Sequence, residues 1–393
     1  MNSVSPAKQK SALLVVGLAI FLDMLIYGLV VPILPRFAEQ LGANQTEIGL
    51  LFASYAVVLF IATPIFGALS DRIGRRGPML WGLLGLAAAT LLFAFADNFP
   101  MLVAARSLQG LAAAITWTSG LAIIADVYPS ADRGRAMGMA LSGQAAGMLL
   151  GPVAGGWLYQ LGDYRLPFFV AAGLAMLDGV LRVVLLKDLP EPKADGGLLS
   201  PFRMLRSRSL LLLAGVVVIG AGIPSVLEPT LPLHLQEHLG AQPGTIGLLF
   251  AVPTLAYGLA TPLIGKLSGK FGYRRAIAAG LAAVAICLPL AALPGSVWLQ
   301  AAALALLGIA MGVVLAPSLP ALADLTDESG QAAYGVTFAI YNTAYSVGML
   351  LGPLLGGTLT GAMGLKLAYL AIGGVVLLYM LLYLGGQRSR KRG

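Results

Sequence analysis

Two carboxylic acids stand inside long apolar stretches of this chain: Asp23 in FLDMLIYGLVVPILP and Glu228 in LEPTLP. Asp23 is equally far from Ser11 and Pro35, near the middle of its apolar run. An acid in hydrocarbon costs about 2.5–3.5 kcal/mol on insertion scales, and burial favours its neutral form. One carboxylate that takes either a proton or an organic cation is the least machinery needed to exchange the two. A structural hydrogen bond to a neighbouring helix is the alternative reading. Glu228 precedes Pro229, and proline in a spanning helix frees backbone carbonyls beside a cavity. Its alternative is a wet acid near the outer end of a helix.

Arg106, with Gln109 three residues on, is the next group of interest. A buried guanidinium must meet carbonyls or an acid, and it can favour the charged form of a nearby carboxylate. Asp178 and Arg182, spaced i and i+4, should neutralise one another and are read as structural. Tyr27, Tyr55, Trp117, Tyr341, Asn342 and Tyr345 fall at matching depths and are candidates to line a cavity. An aromatic face attracts an organic cation by about 0.5–2 kcal/mol, though ordinary helix packing accounts equally well for any one of them. Cys287 is the single cysteine, and the histidines are His234 and His238 alone. That supply supports neither a disulfide framework nor a metal site, so no metal and no cofactor are expected.

The elements that hold these groups follow from composition. Only 11% of the 393 residues are charged and 58% are hydrophobic, against roughly 25% charged in a soluble domain. The chain is a multi-pass membrane protein. Runs of about 20 apolar residues occur near 11–35, 46–70, 77–97, 100–127, 135–161, 166–187, 209–236, 244–268, 274–294, 296–323, 332–361 and 365–385. No short alternating strands of a closed barrel are visible, so the fold class is all-α with twelve transmembrane helices. The first run is too long, and too polar at Asp23, for a signal-peptide core, and is expected to stay in the mature protein.

Basic residues set the orientation. Among connections, the odd-numbered ones hold only Arg36, Arg165 and Lys366, while the even-numbered ones and the termini hold nearly all the rest. The positive-inside rule then puts both termini in the cytoplasm. The formal charge of +8 reflects this asymmetry, and no nucleic-acid partner is expected. The polar stretch 188–208, with Pro190, Pro192, Gly196 and Gly197, reads as a linker between six-helix bundles at 1–187 and 209–393.

The bundles are copies. Gly49, Phe52, Thr63, Pro64, Gly67, Ser70 and Gly74 recur 198 residues later, and GMLLGPVAGG from Gly147 recurs as GMLLGPLLGG from Gly348. Repeats of this kind place a ligand site where the copies meet. The pairs Gly147/Gly151 and Gly348/Gly352 have the spacing that lets helices approach closely. Asp71, Arg72, Arg75, Arg76 and Asp126 form a cytoplasmic group. Asp71 is expected to face the N-terminus of the eleventh span, and a loop arginine to pair with Asp126. Such contacts would hold the cytoplasmic side shut, and the alternative is a solvated basic loop. The second copy has Gly269 in place of Asp71.

The loop GALSDRIGRR from Gly67, ARSLQG from Ala105, and the glycines of the fifth span together resemble the major facilitator superfamily along the full chain. Gly138, Gly147, Gly151, Pro152, Gly155 and Gly156 are similar to the glycine signature of its proton-coupled antiporters. Helix 1 resembles that of twelve-span drug:proton antiporters. GLLFAS, ARSLQG, LDG and LEPTLP resemble the vesicular monoamine transporters. The resemblance implies a proton-coupling role for Arg106 and Gln109 and a functional acid at Glu228. The chain departs from that family at Tyr55, where the family has lysine, and in spans 10 and 11, where it lacks acids. A long first lumenal loop is also missing, and the short loops look like those of a bacterial plasma-membrane homologue. The expected activity is exchange of small organic cations, drugs or aromatic monoamines, for protons by a monomer in the lipid bilayer, with no enzyme chemistry. Uptake of another small solute and a non-transporting receptor are the alternatives.

Overall fold

The computed structural model describes residues 5–185, 207–328 and 334–388. Apart from Ser207 and Arg208, the linker 188–208 lies outside them, as do residues 332–333 at the start of the eleventh span. The helices are α1 (Pro6–Leu29), α2 (Leu34–Gln40), α3 (Gln45–Ile73), α4 (Arg76–Ala94), α5 (Phe99–Val127), α6 (Ser130–Leu161), α7 (Leu166–Leu185), α8 (Arg208–Leu239), α9 (Pro243–Phe271), α10 (Tyr273–Leu290), α11 (Val297–Leu315), α12 (Ser318–Glu328), α13 (Tyr334–Met363) and α14 (Leu365–Arg388).

Two expected spans are each broken into a pair of helices. Between α1 and α2 the break falls at Pro32, and between α11 and α12 at Pro317. Proline supplies no N–H to the turn before it and crowds that turn's carbonyl. Among the described residues, eleven helical stretches are long and apolar enough to cross a membrane, α11 and α12 counting as one. The expected span that falls short is α6. It is long enough, but it opens on Asp132, Arg133 and Arg135 and is filled with glycine, alanine and serine.

The chain groups into two compact units, Met1–Ala43, Ser54–Gly197 and Gln242–Ala251 in one, and Asn44–Ala53, Leu198–Ala241 and Val252–Gly393 in the other. The short exchanged pieces are the first turns of α3 and α9. In the first unit a Cβ on Gly247 would strike the Pro152 backbone, and in the second a Cβ on Gly49 would strike that of Pro353.

Within the first unit α1 packs chiefly on α6, and within the second α8 packs chiefly on α13. Both contacts are glycine ladders. On α6 the residues Gly143, Gly147, Gly151 and Gly155 sit over the carbonyls of Gly17, Phe21, Leu25 and Leu29 in turn. On α13 the residues Gly348, Gly352 and Gly356 sit over those of Val218, Gly222 and Val226. One glycine per turn leaves no side chain on its own helix at these points, so the backbones approach closely. Gly138 is the exception among the motif glycines, for nothing lies within 4 Å of its Cβ position.

Candidate transport site

In the first unit α1, α3, α5 and α7 carry the ionisable groups. Gly120 sets α5 against Val16 of α1, and Gly110 sets it against the Tyr55 backbone of α3. This close approach lets Trp117 on α5 reach α1, where its Nε1 donates to Asp23 Oδ2 at 2.8 Å. Asp23 is 1% exposed. The two readings of Asp23 thus coincide: the carboxylate accepts a hydrogen bond from a neighbouring helix and remains a buried ionisable group.

Arg106 is fully buried. Its Nη1 donates to Gln109 Oε1 at 2.7 Å, and its guanidinium lies 4.5 Å from the Tyr27 ring centre and 5.0 Å from that of Tyr55. The two rings are 4.8 Å apart and tilted. By sequence both tyrosines are candidates to line a cavity, with ordinary helix packing accounting equally well for either. Their faces are turned to an internal cation, which a desolvated guanidinium requires.

Arg182 reaches further than its reading as a structural partner of Asp178. The pair is fully buried at 2.5 Å, and Arg182 Nη1 donates to the Met79 carbonyl at 2.9 Å. Arg182 and Arg106 both act coulombically on Asp23. Its signal in the sequence was a second arginine inside an apolar run, which the nearby acid masked.

In the second unit Glu228 lies on α8, 7% exposed. It acts electrostatically on Tyr345 of α13, which also feels Tyr257 of α9. Tyr341 and Tyr345 have ring centres 6.3 Å apart on one face of α13, while Asn342 is exposed. Tyr257 is the group that sequence reasoning missed, because its repeat position holds Leu59 and nothing marked it as special. His234 and His238 stack on each other at 4.1 Å near the end of α8.

The cytoplasmic group is smaller than expected. Arg75 Nε pairs with Asp126 at 3.1 Å, and its Nη1 reaches Asp71 and, at 2.9 Å, Ser70 Oγ. Burial pulls the Arg75 pKa down, but the two carboxylates more than offset this and leave it raised. Arg72 and Arg76 are exposed and join no ion pair among the described residues. One arginine is enough to bridge two acids, and a second would add uncompensated charge.

Residues 16–227 and 212–393 each match the profile of the Major Facilitator Superfamily. The chain is 33% identical over 345 residues to the chromaffin granule amine transporter of Rattus norvegicus, covering 87% of this chain and 66% of that protein. It is 32% identical over 386 residues to the probable vesicular acetylcholine transporter-B of Danio rerio, covering 95% and 78%. A crystal structure of a bacterial homolog to the human lysosomal transporter Spinster, inward-facing and occupied, superposes with a TM-score of 0.85 over 98% of both chains, at 16% identity. That likeness shows the fold alone. The profile matches cover both units, and the chain belongs to the Major Facilitator Superfamily, a family of transporters and not of enzymes.

Proposed function

We propose that this protein is a proton-coupled antiporter that exports small organic cations, aromatic monoamines or cationic drugs, by alternating access. The observation that carries the reading is Asp23, a buried carboxylate on α1 held by Trp117 and within electrostatic reach of two arginines. Asp23 and Glu228 take a proton or the substrate cation in turn. Exchange results because protonation favours one facing of the carrier and substrate the other. The amine and acetylcholine transporters among its relatives support the substrate class. Arg106 and Gln109 couple the proton to the cycle, and Tyr341, Tyr345 and Tyr257 offer aromatic faces to the cation. The Arg75 group with Asp71 and Asp126 closes the cytoplasmic side. The setting is a bacterial plasma membrane, with both termini in the cytoplasm and one chain per carrier.

The test is uptake of labelled serotonin, and separately of ethidium, into proteoliposomes with an acidic interior, comparing wild type with Asp23→Asn. Accumulation that a protonophore collapses and the mutant lacks is the expected result. Movement of ethidium alone keeps the antiporter and removes the monoamine. Two buried arginines in the first unit favour a second reading, carriage of an anionic solute. It takes the lead if neither cation moves.

A further inference from the structure

A groove runs between α4 and α7 on the first unit. It is lined by Leu80, Leu83, Leu84, Ala87, Ala175 and Gly179, with Val180 and Val183 among its remaining walls, and its volume is about 510 Å³. That is in the range of about 300–1,000 Å³ typical of small-molecule sites. The wall is apolar throughout. The groove lies where Ala87 and Ala175 present only small side chains between the two helices. A Cβ on Gly179 would come to 2.8 Å from the Leu83 side chain. Leu84, Met176 and Val180 are more than half exposed, so the groove opens away from the bundle.

Its mouth carries a charge. Arg76, the first residue of α4, precedes Leu80 by four residues, Leu83 by seven and Leu84 by eight, and so shares their stripe of the helix. Arg76 is exposed, and among the described residues no ion pair or hydrogen bond holds it. Its repeat counterpart, Arg274, is tied down, since its Nη2 donates to the Leu384 carbonyl at 2.6 Å. From Arg76 to Ala87 the helix rises by roughly 16 Å, close to half of the ~30 Å hydrocarbon thickness of a bilayer. An arginine at headgroup level above an apolar trough one leaflet deep is the complement of an anionic lipid. A cationic drug entering sideways would meet a like charge there.

We propose that this groove is a binding site for one anionic phospholipid of the cytoplasmic leaflet, its phosphate on Arg76 and an acyl chain along α4 and α7. The probe is phosphatidylglycerol against phosphatidylcholine of equal chain length, added to the purified full chain in detergent and read as retained adducts by native mass spectrometry. Wild type should retain phosphatidylglycerol at least fivefold more than phosphatidylcholine. Arg76→Gln should erase that preference. Val180→Trp, which fills the trough from an exposed position, should lower retention of both lipids at least fivefold. Met176→Trp serves the same purpose if Val180→Trp does not give folded protein. Equal retention of both lipids by wild type, a preference that survives Arg76→Gln, or retention untouched by filling the trough would each overturn the site. None of these readouts depends on transport, so the antiporter reading stands or falls separately.

Discussion

Trp117 is the residue that holds Asp23, and loss of its indole N–H tests that bond directly. Trp117→Phe keeps an aromatic ring, trims the pyrrole part of the indole and with it deletes the Nε1 donor that Asp23 accepts from. A hydrogen bond to a charged group contributes about 1.5–3 kcal/mol, so in the proposed antiport cycle the apparent affinity for the proton should change by roughly 10–100-fold. Proton-driven uptake across a pH series checks this. The Asp178–Arg182 pair answers to stability. Arg182→Met or Asp178→Asn alone should cost about 3–5 kcal/mol by stranding a buried charge, and the double variant should recover much of that. Thermal unfolding of the three variants in detergent forms the cycle. The acids and arginines were legible in the sequence because charge inside an apolar run is conspicuous. Their partners were not. Trp117 and Asp23 are 94 residues apart, and their contact depends on Gly120 setting α5 against α1. Tyr27 and Tyr55 show the same limit, since an aromatic beside a cavity and one beside an arginine have the same spelling.

At the scale of the helix, the glycine ladders separate positions that tolerate a side chain from positions that do not. Gly151→Val places its side chain against the Leu25 carbonyl and the Gly28 backbone. Overpacking of a side-chain core costs about 1–3 kcal/mol, and here rigid backbone must move instead, so loss of folded protein on size exclusion is expected. Gly138→Val meets open space and should leave the elution profile unchanged. The four-residue period was readable on α6 and α13. The partner carbonyls on α1 and α8 were not, because a backbone contact leaves no trace in the side chains of the helix that receives it. The interruptions at Pro32 and Pro317 were also hidden, since hydropathy records side-chain polarity and not a missing N–H.

For the whole molecule the orientation is the exposed prediction. In a Cys287→Ala background, a cysteine at Asp97 should react with a membrane-impermeant maleimide from outside intact cells. One at Arg133 should react only after permeabilisation. The reverse pattern would invert the positive-inside assignment. Arg75 links α4 to the ends of α3 and α5 through Asp71 and Asp126. Its pKa in the folded chain is raised, so its contribution is present at every pH below its unfolded value and is lost only as pH rises beyond that, far above neutrality. Acid or base near pH 7 should therefore not release this group through Arg75. High salt, which screens exposed pairs, should weaken it, and Arg75→Ala should raise protease cleavage of the α3–α4 connection severalfold in everted vesicles. The two-copy plan and the helical class were legible because repeats and long apolar runs survive in a single sequence. The exchange of the first turns of α3 and α9 was not, since it is set by glycines whose partners lie in the other copy.

The ladder between α1 and α6 repeats once per turn on both sides. A contact of that kind looks much the same after either helix slides by one four-residue repeat, about 6 Å. It holds two rods together while saying nothing about where along each other they belong. Their alignment is decided instead by the few features that break the repeat, of which Pro152 wedged against Gly28 is the clearest. Adhesion and positional information are thus assigned to different residues. Changes at Gly28 or Pro152 should yield chains that still associate, but out of step.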